Sequence, residues 1–126
     1  MNRRLSIVWH AMWVALIAGW LMAGSVLAHH GWSQYDANTT LHLSGVITEA
    51  RYANPHGLIR LQVDGENGKT WLAILAPPSR MSSRGLSQEM LLRGTTATVV
   101  GYPHREKADE MRAEHITIED KTVDLR

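Results

Sequence analysis

The sequence predicts a small all-β protein with one short helix, folded as a five-stranded barrel behind an N-terminal export segment. Three observations predict this class. A long apolar run near the N-terminus ends at small residues, apolar and polar residues alternate with a period of two after residue 40, and turn residues separate the alternating segments at short intervals. The chain of 126 residues is therefore expected to hold one domain behind a targeting segment.

Residues 1–28 have the layout of a cleavable secretory signal peptide. Two arginines precede an almost wholly apolar run at residues 7–22, and Val26 and Ala28 supply the small side chains that a signal peptidase accepts at its −3 and −1 sites. This layout predicts a periplasmic protein. The alternative is an uncleaved anchor, because residues 5–28 are long enough to cross a bilayer, and membrane contact is expected only in that case.

Cleavage after Ala28 makes His29 the first residue of the mature chain. Of the 126 residues 98 then remain, with 11 basic residues because Arg3 and Arg4 are lost, against all 12 acidic residues. A net charge near −1 gives no electrostatic footprint for nucleic acid. The chain has no cysteine, which excludes disulfides and thiolate metal sites.

An arm at residues 29–39 is expected to lead into a barrel domain at residues 40–118. Leu41 and Leu43 alternate with polar residues, Gly45 interrupts, and the apolar side chains then fall on even positions. A glycine at such a switch predicts a bulge in a bent first strand.

Two further strands follow a turn at residues 54–57. Residues 59–64 alternate cleanly between apolar and polar side chains, residues 64–68 form a hairpin turn, and residues 71–76 are apolar on both faces. The prolines at residues 77–78 end the third strand.

Residues 79–94 break the strand pattern and predict one or two short helical turns. Ser79 and Ser87 are the candidate N-caps, and Gly85 and Gly94 the candidate ends.

The fourth and fifth strands are expected at residues 97–101 and 111–118, joined by a charged loop at residues 104–110, and residues 119–126 form a polar tail expected to fray. Three strands, a helical connection and two more strands are the order of the oligonucleotide/oligosaccharide-binding (OB) barrel, a Greek-key fold. An open β-sandwich or meander is the alternative.

Several landmarks resemble an uncharacterised family of small secreted bacterial proteins known only as a domain of unknown function. The landmarks are the His29-His30 start, the Asn54-Pro55-His56 turn, Gly68-x-x-Trp71, residues 78–85 and Leu92-x-Gly94. The resemblance implies a periplasmic location and a compact β fold, and it supplies no activity.

Histidines carry the most specific chemistry that the sequence predicts. In an OB barrel the loop between the first and second strands and the loop between the fourth and fifth strands border one ligand-binding face. His56 lies on the first of these loops and His104 on the second. The α-amine and the imidazole of an N-terminal His29 deprotonate near neutral pH, because their ordinary pKa values are about 7.7–8.0 and about 6.5. The sequence therefore predicts a site of His29, His56 and His104, with His30 as a fourth ligand or a hydrogen-bonding partner, holding copper or alternatively zinc or nickel.

Each of these histidines also has a plainer interpretation. His30 fits a solvated arm, His56 fits a turn residue that donates to a nearby carbonyl, and His104 fits a solvated charged loop. His42 and His115 alternate with apolar neighbours and are expected to face outward from their strands.

Other patterns are weaker. Arg80, Arg84 and Arg93 flank the helical segment and are expected to form a solvated face rather than an anion-binding patch. No Gly-x-Ser-x-Gly or His-Glu-x-x-His motif is present, so binding is expected rather than catalysis. The predicted function is a periplasmic metal-binding protein, and the alternative is a metal-free module that binds a periplasmic protein partner or a small ligand on the same face.

Overall fold

The computed structural model describes residues 31–65 and 68–126, and residues 41–124 of this part contain six strands, one α-helix and one 3-10 helix. In chain order they are β1 (Leu41–Arg51), β2 (Leu58–Val63), β3 (Thr70–Ile74), α1 (Pro78–Ser83), the 3-10 helix (Gln88–Leu91), β4 (Thr96–Pro103), β5 (Glu110–Ile118) and β6 (Lys121–Asp124).

The first five strands close into a barrel. β1 pairs antiparallel with β2 along one part of its length and with β4 along the other, β2 pairs with β3, and β4 pairs with β5. A parallel pairing of β3 with β5 closes the ring. The predicted OB-like fold is confirmed, and the open sandwich or meander is wrong, because a closed ring leaves no free edge among these five strands.

Gly45 is the point at which β1 changes partners. A Cβ atom on Gly45 would overlap the backbone carbonyl of Gln62, so only glycine permits this close approach. The bulge lies between Ile47 and Glu49 instead, and Ile47 is buried while Val46 is exposed. The predicted switch of faces at Gly45 is therefore wrong, since the inward positions run on past the glycine without interruption.

The helical connection differs in detail from the expectation. α1 has Pro77 at its N-cap and Pro78 in its first turn, so the predicted cap Ser79 lies inside the helix. A proline is well tolerated there because the first amides of a helix have no intrahelical acceptor. Ser87 occupies the predicted N-cap of the 3-10 helix, but its side chain makes no capping hydrogen bond. No helix in the described part of the chain is long and apolar enough to span a bilayer.

Residues 119–126 do not form the frayed tail that was expected. β6 pairs antiparallel with β5, and the side chains of Val123 and Leu125 are buried. The amide of Leu125 also donates a hydrogen bond to the carbonyl oxygen of Glu114 (2.7 Å). Two alternating apolar residues in a charged segment are too short a pattern to predict a strand, so the pairing with β5 decides the structure.

The core consists of inward side chains from every barrel strand and from the helical connection. β2 and β3 show the alternation most clearly, because Ile59, Leu61 and Ala73 are fully buried and their neighbours are not. The residues between these inward positions therefore lie on the outside of the barrel.

Candidate binding face

The outer side of β2, β3 and β5 carries two rows of side chains that run across the three strands. Residues directly paired in neighbouring strands lie on the same face of a sheet. One row contains Leu58, Ile74 and Arg112, and the other contains Arg60, Leu72 and Glu110. We call the surface formed by these six residues the binding face.

Three of the six side chains are apolar. Leu58, Leu72 and Ile74 are half-buried, yet they are absent from the partly buried hydrophobic residues that pack against the core of the described chain. We call these three side chains the apolar strip. Adjacent apolar side chains on the outside of a barrel are typical of a recognition surface, whereas single exposed ones are ordinary.

One border of the binding face is the β4–β5 loop, residues 104–109, together with residues 34–39 of the arm. Tyr35 forms an isolated backbone bridge with His104, and the two rings meet edge to face with centroids 5.1 Å apart. The Tyr35 hydroxyl donates a hydrogen bond to Oε1 of Glu110 (2.8 Å). Burial, and then the hydrogen bond to Glu110 and its negative charge, raise the pKa of Tyr35 well above its ordinary value. Tyr35 therefore acts as a neutral donor that holds residues 34–36 on this loop.

The imidazole of His104 is committed to its own loop. Nδ1 accepts the backbone amides of Glu106 and Lys107, each at 3.0 Å. A neutral imidazole whose Nδ1 is an acceptor carries its proton on Nε2. Neither ring nitrogen then offers a free lone pair to a metal ion in this arrangement.

The opposite border of the binding face is the β1–β2 loop, residues 52–57, which carries His56. Gly57 donates its amide to the carbonyl oxygen of Ala76 (2.9 Å) and accepts the amide of Leu75 (2.8 Å). A Cβ atom on Gly57 would overlap the terminal methyl group of Met81. These contacts fix His56 between the end of β3 and helix α1.

His56, Arg80 and Arg112 form what we call the cationic corner. Burial lowers the pKa of His56, and the positive charges of Arg112 and then Arg80 lower it further. Arg112 is only 6% exposed, and this burial lowers its pKa; Tyr35 opposes the shift, while Arg80 adds to it. Arg80 itself is exposed on α1. Two guanidinium groups and an imidazole therefore share one electrostatic environment at the edge of the apolar strip.

The structure places the two loop histidines at different levels of the binding face. The amide of His104 donates to the carbonyl oxygen of Glu110 (2.8 Å), which is paired with Leu72, whereas the amide of Gly57, the residue after His56, donates to the carbonyl oxygen of Ala76 (2.9 Å). Leu72 and Ala76 are four residues apart, and four residues of extended chain span roughly 13 Å at about 3.3 Å per residue. The backbones that carry the two histidines are therefore offset along the strands.

No group of three or more histidine or carboxylate side chains within residues 31–65 and 68–126 is arranged to hold a metal ion. His29 and His30 lie outside the described residues. The predicted site for copper, zinc or nickel therefore stays a prediction. The outward orientation predicted for His42 and His115 is confirmed, because neither side chain lies in the core.

The arginines are the functional residues that the sequence placed least well. Arg80, Arg84 and Arg93 are all exposed, as predicted, but they do not share one face. Arg84 donates to backbone carbonyls of the C-terminal segment, and Arg93 lines a groove of about 190 Å³ together with Tyr52 and Leu92. Arg112 was missed. Its only signal is its place between the apolar residues Met111 and Ala113, which indicates its outward direction but not its burial.

Concavities are also found away from the binding face. A groove of about 520 Å³ runs between the 3-10 helix and the β5–β6 turn and is lined by Glu89, Met90, Thr95, Ile118, Glu119, Asp120 and Lys121. Concavity alone favours that groove. We place the candidate site on the binding face because an apolar strip and a buried guanidinium adjoin there, and apolar surface beside a few placed polar groups is typical of ligand sites.

Comparison with known proteins gives a family and a fold. A family described as "Family of unknown function (DUF6152)" matches residues 18–112. No curated protein matches the chain.

Two solved structures are similar. A chain of the S. pombe Stn1-ten1 complex is 13% identical with a TM-score of 0.50, covering 65% of this chain and 59% of that one. A chain of a complex of TiaS with tRNA and ATP is 17% identical with a TM-score of 0.48, covering 67% of this chain and 19% of that one. This chain thus spans less than two thirds of either. The first similarity shows the fold alone.

Proposed function

The chain belongs to the DUF6152 family of unknown function, and from this premise we propose that it is an exported, periplasmic binding protein whose ligand lies on the binding face. The family supplies no activity, so the proposal depends on the site. The observation that carries it is the apolar strip, whose three outward side chains are held between the two loops that border the face of an OB barrel.

The size of the apolar strip sets the strength of binding. The side chains of the strip expose about a third of their surface or less, so covering the remainder of each contributes about 0.7 kcal/mol, and the whole strip contributes about 2 kcal/mol. Because a dissociation constant of 1 mM corresponds to about 4 kcal/mol, apolar contact alone gives millimolar affinity or weaker. A tighter ligand needs polar groups at the border.

A neutral apolar probe tests the binding face directly. We expect 1-hexanol, titrated into methyl-labelled protein, to shift the NMR signals of Leu58, Leu72 and Ile74 before any others, and Leu72→Ser to weaken this binding by about threefold or more. Leu92→Ser is the matched control, because Leu92 is 61% exposed and lies outside the binding face. Shifts spread evenly over exposed residues, or centred on Leu92, would contradict the proposal.

Export is supported by the signal-peptide layout of residues 1–28. The test is the intact mass of the protein recovered from the periplasm of an expressing bacterium. We expect the mass of a chain that begins at His29. Recovery of the protein only with its leader, in the membrane fraction, would contradict export of a cleaved form.

Copper binding through His29 is the second proposal. One observation favours a contribution from His56: its lowered pKa keeps the imidazole neutral, as a metal ligand must be. The guanidinium groups that lower this pKa also repel a cation, and for this reason we place metal binding after the metal-free function. Tight copper binding that is lost when one residue is added before His29 supports it, and binding indifferent to that extension contradicts it.

A further inference from the structure

We propose that the cationic corner, formed by His56, Arg80 and Arg112, binds the carboxylate head of a small amphipathic ligand whose apolar body covers the apolar strip. This inference rests on the proposed function, because it names the class of ligand that the binding face takes. The ligand is a monocarboxylate with an aliphatic or aromatic body.

The cationic corner and the apolar strip are continuous. Arg112 is paired directly with Ile74, which is paired with Leu58, so a guanidinium and two apolar side chains lie in one row across three strands. Neighbouring strands lie about 4.8 Å apart. His56 precedes Leu58 by two residues, and Gly57 between them is fixed to the end of β3 by two hydrogen bonds. A head group at the corner therefore leaves its body over the strip.

The charges of the corner favour an anion. Arg112 is buried, and a charge interacts more strongly there than in water because the surroundings are less polarisable. Arg80 and Arg112 repel each other there, and both act on His56. An oxyanion between these groups replaces repulsion with attraction. A guanidinium also matches the planar geometry of a carboxylate through two parallel hydrogen bonds.

The remaining charge of the binding face favours a monoanion. Glu110 lies two residues before Arg112 on the outward side of β5 and accepts the Tyr35 hydroxyl through Oε1. Its Oε2 lies 3.7 Å from Nζ of Lys107, so among the described residues this pair leaves no further positive charge beside the corner to hold a second negative charge. A carboxylate therefore fits better than a phosphate dianion, which would also place no apolar body on Leu58 or Ile74.

The test compares hexanoate, 1-hexanol and inorganic phosphate by NMR titration of the protein recovered from the periplasm, in 0.15 M NaCl. We expect hexanoate to bind about tenfold or more tightly than 1-hexanol. Arg80→Gln is expected to weaken the binding of hexanoate by about threefold or more and to leave the affinity for 1-hexanol unchanged. The matched control is Arg93→Gln, which removes the same charge from a groove elsewhere and is expected to change neither.

Arg112 needs a conservative variant, since a neutral side chain at this buried position endangers folding. Arg112→Lys keeps the charge and loses the planar pair of donors, so we expect it to weaken hexanoate more than Arg80→Gln does while 1-hexanol still binds. Retention of full hexanoate affinity in both Arg80→Gln and Arg112→Lys would overturn the inference.

The other outcomes separate this inference from the proposed function. Equal binding of hexanoate and 1-hexanol at the apolar strip overturns the carboxylate site and leaves the proposed function intact. Failure of both probes to shift the strip overturns both. Phosphate binding that is as tight as that of hexanoate and equally sensitive to Arg80→Gln overturns the assignment of a monocarboxylate. A loss of hexanoate affinity in Arg93→Gln equal to that in Arg80→Gln would reveal a non-specific charge effect and would also overturn the carboxylate site at the cationic corner.

Discussion

Replacing Leu125 with alanine tests whether the C-terminal segment belongs to the folded domain. Leu125 is 1% exposed, and its amide bonds to Glu114 in β5. Shortening a fully buried leucine to alanine costs about 2–5 kcal/mol, because apolar contact is lost and a cavity is left. Since the site lies next to the end of a strand and relaxes more easily than the centre of a core, we expect about 2–3 kcal/mol.

The assay is urea unfolding followed by far-ultraviolet circular dichroism. For a domain of 60–100 residues, a loss of 1 kcal/mol lowers the melting temperature by about 4–8 °C, so the thermal transition of Leu125→Ala is expected to fall by about 10–20 °C. Leu92→Ala is the control and is expected to change stability by less than about 0.5 kcal/mol, because Leu92 is 61% exposed. If Leu125→Ala also stayed within about 0.5 kcal/mol of the parent, residues 119–126 would not be part of the cooperative fold.

Three further predictions concern residues closer to the binding face. Because the pKa of His56 is lowered in the folded protein, the unfolded chain takes up a proton at this histidine first as the pH falls below about 6.5. The free energy of unfolding therefore decreases between that pH and the pKa of His56 in the folded protein. The urea midpoints at pH 7.5 and pH 5.5 should differ less in His56→Gln than in the parent. Tyr35→Phe removes the donor to Glu110 and is expected to cost about 1–3 kcal/mol, measured by urea unfolding, while an unchanged midpoint would show that the bond contributes nothing. Gly45→Ala forces a methyl group into the facing carbonyl and is expected to cost more than about 2 kcal/mol, so an alanine variant as stable as the parent would refute the close approach.

The strand order and the two bordering loops follow from local patterns. Residues 59–64 alternate with a period of two, glycine and proline mark the turns, and a helical segment separates the third strand from the fourth. Each of these signals is carried by neighbouring residues, which is why the sequence predicts the OB-like order.

The features that the sequence predicted wrongly depend on contacts between distant residues. The apolar residue after Gly45 looked like a change of face, but the pairing of β1 with both β2 and β4 decides which positions are buried. Val123 and Leu125 are buried only because β5 offers a partner strand. No local pattern contains such information.

The candidate site shows the same division. His56 and His104 were placed on the correct loops from the strand order, since loops follow directly from strands. Their surroundings were not predicted, because Arg80, Arg112 and Tyr35 reach them from elements far away in the sequence. For this reason the histidines suggested a metal, whereas the assembled charges favour an anion.

The most direct test of the binding face is the set of nuclear Overhauser effects between bound hexanoate and the methyl groups of the protein. We predict contacts from the methylene chain of hexanoate to Leu72 and Ile74, with the carboxylate end toward Arg112. Contacts instead to Met90, in the groove between the 3-10 helix and the β5–β6 turn, or to the exposed Leu92 would contradict the assignment of the ligand to this face.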